Sequence, residues 1–386
     1  MSVVVRKAGR TLYTYQPRVA QAPASNEKLL LSMALFDEVG PSHQIATRIM
    51  TAPRLGKVVW GNVWIVGRGD PTISARSSYA RYFGRDATRI EQIANKIRAS
   101  GIVRIRGSVM GSKSYFRHDW WASGWEYDFP AEHVALPTAL TYQGNVVKGR
   151  HVSNPESFAA QALTKALRAR DIIVDEPSGS GHAPGGLSTL VRVESEPLSK
   201  LAVYMNRPSN NFLAETFGKL LGAERFGAPG TIAKGARAIE VWAARHKTSL
   251  TAHDSSGLSY RNRVTALQIA KLLGKVEQKP WGATLRATLA AGGQGTLEDR
   301  LRDVPIRAKT GTLENVSALS GWVYLQRGGS WAEFSILSRG MSKSLAVDIE
   351  DAIVRTVHRR ASTMQSQNVS AELASGLAIG VAGLLG

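Results

Sequence analysis

The chain has 386 residues, 43% of them hydrophobic and 20% charged, an ordinary globular composition long enough for two domains or for one carrying a large insertion. It has no cysteine, which excludes a disulfide framework, a thiol nucleophile and any Cys-ligated zinc or iron–sulfur site. Lys and Arg number 49 against 30 Asp and Glu, a net charge of +19 that favours anionic partners.

The basic residues are scattered, without zinc-finger spacing or an aromatic stacking motif, so no specific nucleic-acid partner is expected. The charge reads as a solvated basic surface, with non-specific contact to anionic wall polymers or a membrane surface.

In chain order, Val3-Val4-Val5 and Thr11 to Tyr15 flank Arg6–Arg10 and predict a β-hairpin over residues 3–15. No charged and apolar leader precedes it in the sequence as given. Pro23-Ala24-Ser25 opens a helical pattern whose apolar positions are Leu29, Leu30, Met33, Leu35 and Phe36, and Gly40-Pro41 stop it. Such a helix places Ser25 in its first turn and Lys28 one turn on, on the same face, with free N–H groups near Ser25.

From 51 to 190 the character changes. Short strands at Val58–Trp60, Val63–Val66 and Val103–Val109 alternate with helices at Arg89–Arg98 and Ser157–Ala169, followed by the Gly-rich Ser178–Gly186. This stretch is expected to be an inserted domain. Beyond 191, helices are expected at Asn211–Leu221, Ile232–His246, Ala266–Leu273 and Val347–His358. Strands Ser320–Leu325 and Trp331–Leu337 are joined at Arg327-Gly328-Gly329. Residues 1–50 and 191–360 are then one discontinuous α/β domain, and the Ala/Gly-rich 361–386 is a flexible tail, too short in its apolar run to span a bilayer.

Three short strings carry the chemistry: Ser25-Asn26-Glu27-Lys28, Ser209-Asn210-Asn211 and Lys309-Thr310-Gly311. They read S-x-x-K, S-x-N and K-T-G, an arrangement that makes an acyl-enzyme without histidine. A serine hydroxyl needs a base, and Lys28 becomes one only if burial or a neighbouring cation lowers its proton affinity. Lys309 could be that cation and could also grip a substrate carboxylate, with the Thr310 hydroxyl beside it. Ser209 could relay a proton to the leaving amine, and Asn211 could orient Lys28. Backbone N–H groups of Ser25 and Thr312 would stabilise the oxyanion. Each string has a plainer reading: Ser25 as a helix N-cap, Ser209–Asn211 as the start of the next helix, Lys309 as a surface lysine. No metal or cofactor is implied.

Taken with Gly67-Arg68-Gly69-Asp70-Pro71-Thr72, Met205-Asn206-Arg207-Pro208, Asp254-Ser255-Ser256-Gly257 and Ser320-Gly321-Trp322, the chain resembles the penicillin-binding proteins of the D-alanyl-D-alanine carboxypeptidase/endopeptidase type, peptidase family S13. The 181-residue step from Lys28 to Ser209 is the family's mark, because related serine hydrolases keep these elements closer. The resemblance implies an α/β (α+β) fold of the penicillin-binding transpeptidase/β-lactamase type, with a central antiparallel sheet flanked by helices and an inserted mixed α/β domain. It implies Ser25 as nucleophile, Lys28 as base, Ser209 and Asn211 in the proton network, and Lys309, Thr310 and Thr312 on the substrate. The implied substrates are peptidoglycan stem peptides ending in D-Ala-D-Ala, or their D-Ala cross-links, with β-lactams as covalent inhibitors. The implied location is extracytoplasmic, with a leader missing from the sequence as given.

Two departures stand out. Residue 255 is Ser where the family has Gly, and Tyr204-Met205-Asn206 spells a rival Y-x-N beside Ser209. Arg68-Gly69-Asp70 matches an integrin-binding tripeptide but reads as a turn. Two other functions remain open at this level: a serine β-lactamase, although no E-x-x-L-N string follows Ser209, and a non-catalytic protein that binds wall polyanions.

Overall fold

Val3, Val4 and Val5 are all buried, so the strand that holds them has protein on both faces. In the computed structural model, which describes residues 1–54, 56–326 and 329–360, that strand (Ser2–Lys7) lies inside a five-stranded antiparallel sheet. The order is Ile306–Leu313, Val316–Leu325, Ser330–Arg339, Ser2–Lys7, Arg10–Tyr15. The K-T-G strand is therefore an edge strand. The expected tail at 361–386 and residues 327–328 of the expected turn lie outside the described residues.

The side-chain alternation of a strand sorts this sheet's residues into two cores. Val3, Val5, Leu319, Val323, Phe334 and Ile336 pack with Ile353, Val354 and Val357 of the helix Lys343–Arg360. Val4, Ala318, Trp322 and Leu337 face the other way, onto the helices Glu27–Glu38 and Ala266–Glu277. At about 1.5–3 kcal/mol for each large apolar side chain taken from water, these layers supply most of the force that fixes the sheet. A central antiparallel sheet between helices is the fold expected from the sequence.

A second sheet of mixed direction runs Gly179–Gly181, Val109–Ser112, Val63–Val66, Gln44–Thr51, Ser188–Pro197. The amphipathic helices Ile90–Ala99 and Pro155–Arg168 cover it through Ile93, Ile97, Leu163 and Leu167. Gln44 and Pro197 are cross-strand partners, so the chain enters and leaves this unit at neighbouring points. The run expected as one strand at Val103–Val109 is two pieces, Arg104–Ile105 and Val109–Ser112, in different sheets. Gly107 breaks it: a Cβ there would lie 2.4 Å from Asn62 Oδ1 and 2.7 Å from the Gly61 carbonyl carbon.

Candidate active site

Ser25 sits in a single 3-10 turn, Ala24–Asn26, that leads directly into the helix Glu27–Glu38. The helix N-cap is Asn26, and it makes no side-chain cap bond. The capping role open to Ser25 is thus not the one it fills. Its Oγ instead lies 3.0 Å from Lys28 Nζ. Asn26 reaches the sheet, its Nδ2 donating to Ser320 Oγ at 2.8 Å, which fastens the turn beside the K-T-G strand. Two close approaches tighten that seat. A Cβ on Gly311 would lie 2.7 Å from the Pro23 carbonyl, and one on Gly257 would lie 1.9 Å from the Ala24 carbonyl. Ala24 is held at φ 46, a conformation that costs a non-glycine residue about 1–3 kcal/mol.

Lys28 is fully buried, while Ser25 stays partly open to solvent. Its Nζ meets Asn211 Oδ1 at 2.7 Å and the Ser256 carbonyl at 2.6 Å, besides Ser25 Oγ. Two of those partners can only accept. A neutral amine has two N–H bonds and one lone pair, so once both N–H bonds are used the lone pair faces the Ser25 hydroxyl. Burial brings the Lys28 ammonium down from 10.5 to about 8, against the opposing pull of Asp254, Glu215 and Glu27. The amide of Asn211 is fixed at its other end, where Nδ2 donates to the His133 carbonyl at 3.3 Å.

Lys309 is also fully buried and forms a second centre. Its Nζ donates to Ser209 Oγ at 2.8 Å and to the Thr310 carbonyl at 2.8 Å. Burial, and then the charge of Lys28, hold it well below the ordinary lysine range. Ser209 has φ 63, a second left-handed non-glycine residue at the site. Asn210 caps the following helix Asn211–Phe226 by accepting from Leu213 N at 3.0 Å, which leaves the Ser209 and Asn211 side chains for Lys309 and Lys28. Thr310 Oγ1 donates to Thr296 Oγ1 at 2.7 Å, and Thr296 N donates to the Arg207 carbonyl at 3.0 Å, so the K-T-G strand and the Ser209 turn are linked from below. Thr312 is exposed on the same edge strand, paired in register with Ser317.

The rival readings fall elsewhere. Asn206 is buried, donating to Ser32 Oγ and Thr288 Oγ1 at 3.0 Å each, and Tyr204 OH donates to Asp86 Oδ2 at 3.0 Å, so Y-x-N is a packing element. Asp70 is buried and accepts from Thr72 N, Thr72 Oγ1 and Thr88 Oγ1, which makes Arg68-Gly69-Asp70 part of a turn.

Sequence reasoning did not single out Thr296, the Ser256 and His133 carbonyls, or the carboxylate of Asp254. That carboxylate accepts from Trp125 Nε1, Ser256 Oγ, Gly257 N, Ser259 N and Asn262 Nδ2, at 2.7–3.1 Å, and so shapes the loop that offers the Ser256 carbonyl to Lys28. The D-S-S-G string was the available signal for it.

A part-exposed serine beside a buried lysine, a second lysine–serine pair and an edge strand beside them suit acyl transfer to a hydroxyl. Comparison with known proteins agrees. The profile of the D-Ala-D-Ala carboxypeptidase 3 (S13) family matches residues 1–150 and 143–360. The D-alanyl-D-alanine carboxypeptidase of Actinomadura sp. (strain R39) is 27% identical over 91% of this chain and 79% of its own length. The carboxypeptidase DacB of Mycolicibacterium smegmatis is 30% identical over 90% and 78%. Penicillin binding protein 4 (dacB) from Haemophilus influenzae has the same fold, with a TM-score of 0.78 over 93% of this chain and 96% of that one at 18% identity. The chain belongs to the D-Ala-D-Ala carboxypeptidase 3 (S13) family and is a serine DD-peptidase.

Proposed function

We propose that Ser25 is the acylated nucleophile and that neutral Lys28 is the base that activates it. The observation that carries this is the coordination of Lys28 Nζ, two carbonyl-type acceptors and one hydroxyl. As Ser25 Oγ bonds to the carbonyl carbon of the penultimate D-Ala, its proton passes to the Lys28 lone pair. The N–H groups of Ser25 and Thr312 take the oxyanion. Collapse breaks the C–N bond. The Ser209 hydroxyl, which Lys309 holds, gives its proton to the leaving D-Ala nitrogen and is resupplied with the proton Lys28 took from Ser25. Lys28 is then neutral again and can take a proton from the attacking water and pass it to the departing Ser25 oxygen. Water then hydrolyses the ester at Ser25.

Lys309, with the hydroxyls of Thr310 and Thr312, receives the terminal carboxylate of the substrate. An arriving carboxylate favours the charged form of Lys309, which burial and the charge of Lys28 disfavour, so binding energy goes to substrates with a free C-terminal acid. That favours carboxypeptidase action on peptidoglycan stem peptides. A β-lactam offers an acyl carbon and a carboxylate at similar separation, so it acylates Ser25 as well. The proposed location is extracytoplasmic, where such peptides are found; among the described residues no helix is long and apolar enough to cross a membrane. The experiment is mass spectrometry after incubation with penicillin G. An adduct on the peptide holding Ser25, absent from Ser25→Ala, is expected, and an unlabelled parent protein or an adduct on another serine would refute the assignment.

A further inference from the structure

Asn211, Glu215 and Lys219 stand four residues apart on the helix Asn211–Phe226 and therefore share one face. Only the first belongs to the S-x-N string. Glu215 is fully buried, and its Oε1 accepts from the backbone N–H groups of Ser255 at 3.0 Å and Ser256 at 2.7 Å. Ser256 is the residue whose carbonyl, 2.6 Å from Lys28 Nζ, takes one of the two N–H bonds of the neutral amine.

Lys219 is fully buried as well. Its Nζ donates to the carbonyls of Arg117, Asp119 and Pro137 at 2.8–2.9 Å and pairs with Asp119 Oδ1 at 2.8 Å. All three carbonyls belong to the stretch 117–137, an arm of the polypeptide between Lys28 and Ser209. The same arm carries the His133 carbonyl that accepts from Asn211 Nδ2 and so turns the amide oxygen of Asn211 towards Lys28.

We infer that Glu215 and Lys219 are positioning residues that act through the two acceptors of Lys28. Glu215 fixes the Ser256 carbonyl, and Lys219 fixes the arm whose His133 carbonyl orients Asn211. One helix face thus sets the direction of the Lys28 lone pair, by a direct bond from Asn211 and by two relayed ones. An ångström of slack in either acceptor would let the amine rotate away from Ser25, the scale of misplacement that lowers a rate about a hundredfold. The inference rests on Lys28 being the base.

The test is acylation by a fluorescent penicillin, read as a limiting rate constant and a half-saturating concentration in the molecules that become labelled. Glu215→Leu and Lys219→Met are expected to lower the limiting constant about tenfold to a hundredfold, with half-saturation unchanged within about twofold. Glu215→Gln keeps an oxygen acceptor for both amides and is expected to recover most of the Glu215→Leu loss. If a variant does not fold, Glu215→Asp or Lys219→Gln takes its place.

A limiting constant equal to the parent's in the labelled molecules, whatever the loss of melting temperature, would make both residues merely structural and overturn the inference. So would Glu215→Gln as slow as Glu215→Leu, because charge rather than an acceptor would then be at work. Lys28→Ala in parallel separates the two readings. Acylation at the parent rate there removes Lys28 as the base, whereas an inert Lys28→Ala beside unaffected Glu215 and Lys219 variants removes only the present inference.

Discussion

At the scale of the residue, the burial proposed to make Lys28 a base also destabilises the fold. Its folded-state value near 8 lies below the ordinary 10.5, so between these limits the unfolded chain holds more protons and stability rises with pH. Below about 8 the amine is protonated in both states and the penalty is complete, on the order of 3 kcal/mol. Lys28→Met is therefore expected to lose acylation while melting at or above the parent temperature near neutral pH, measured by penicillin labelling and thermal unfolding. A melting temperature well below the parent would show that the bonds of Lys28 outweigh its desolvation. The same titration predicts an acidic limb in the pH profile of acylation with its inflection near 8. A limb placed in the carboxylate range would assign the base elsewhere.

A second residue-scale expectation concerns Ser255, which packs against Gly218. Its side chain is accommodated because position 218 is glycine: a Cβ there would lie 2.0 Å from Ser255 Oγ and 2.6 Å from Ser255 Cβ. Gly218→Ala is expected to cost about 1–3 kcal/mol by overpacking. Adding Ser255→Gly removes both clashing atoms and should restore the melting temperature, leaving the small gain of Ala over Gly in a helix. Additive losses in the double variant would rule out this contact as the cause.

At the scale of the element, the site is a meeting of one edge strand with one helix start, and Gly311 sets their distance. Gly311→Ala would bring a Cβ to 2.7 Å from the Pro23 carbonyl and 3.1 Å from Ala24 Cβ, both backbone-anchored. The strand and the Ser25 turn must then part, and acylation by penicillin is expected to fall at least about tenfold with the protein still folded. Acylation at the parent rate would mean that the turn and the strand move independently.

Much of this level was legible. The 3.6-residue apolar pattern of Leu29, Leu30, Met33 and Phe36 showed the Lys28 helix, and Val3-Val4-Val5 with Thr11 to Tyr15 showed the hairpin, but not that its first strand is buried on both faces. Gln44–Thr51 and Ser188–Pro197 were not read as strands, because basic and polar residues such as Arg48, Arg192 and Glu194 interrupt them on their outer face. The helix Leu198–Asn206 was hidden for another reason: it begins directly after that strand, with no side-chain cap bond at Pro197 to announce it. The carbonyls that complete the Lys28 site come from backbone, which no residue pattern spells.

At the scale of the whole molecule, the pairing of Gln44 with Pro197 suggests how one domain can hold another. We propose the unit from Gln44 to Pro197 as the insertion, entered and left at adjacent points, although Ile45, Phe83, Phe116 and Ala139 within it still pack into the core of the flanking helices. The arm at 117–137 also bonds to Lys219, so the proposed insertion touches the helix that carries Asn211. The excess of 19 positive charges is not accounted for by the active site, whose two lysines are buried. It belongs to the surface, where we propose it holds the enzyme near anionic wall polymers without choosing the peptide. Such contact is a property of the summed field, screened over about 8 Å at physiological ionic strength. Retention on immobilised polyphosphate should therefore fall about tenfold or more between about 50 and about 200 mM salt. It should be the same for Ser25→Ala and for the penicillin-acylated protein. Retention that survives high salt, or that is lost when Ser25 is occupied, would place polymer binding in the cleft and refute the separation of anchoring from catalysis.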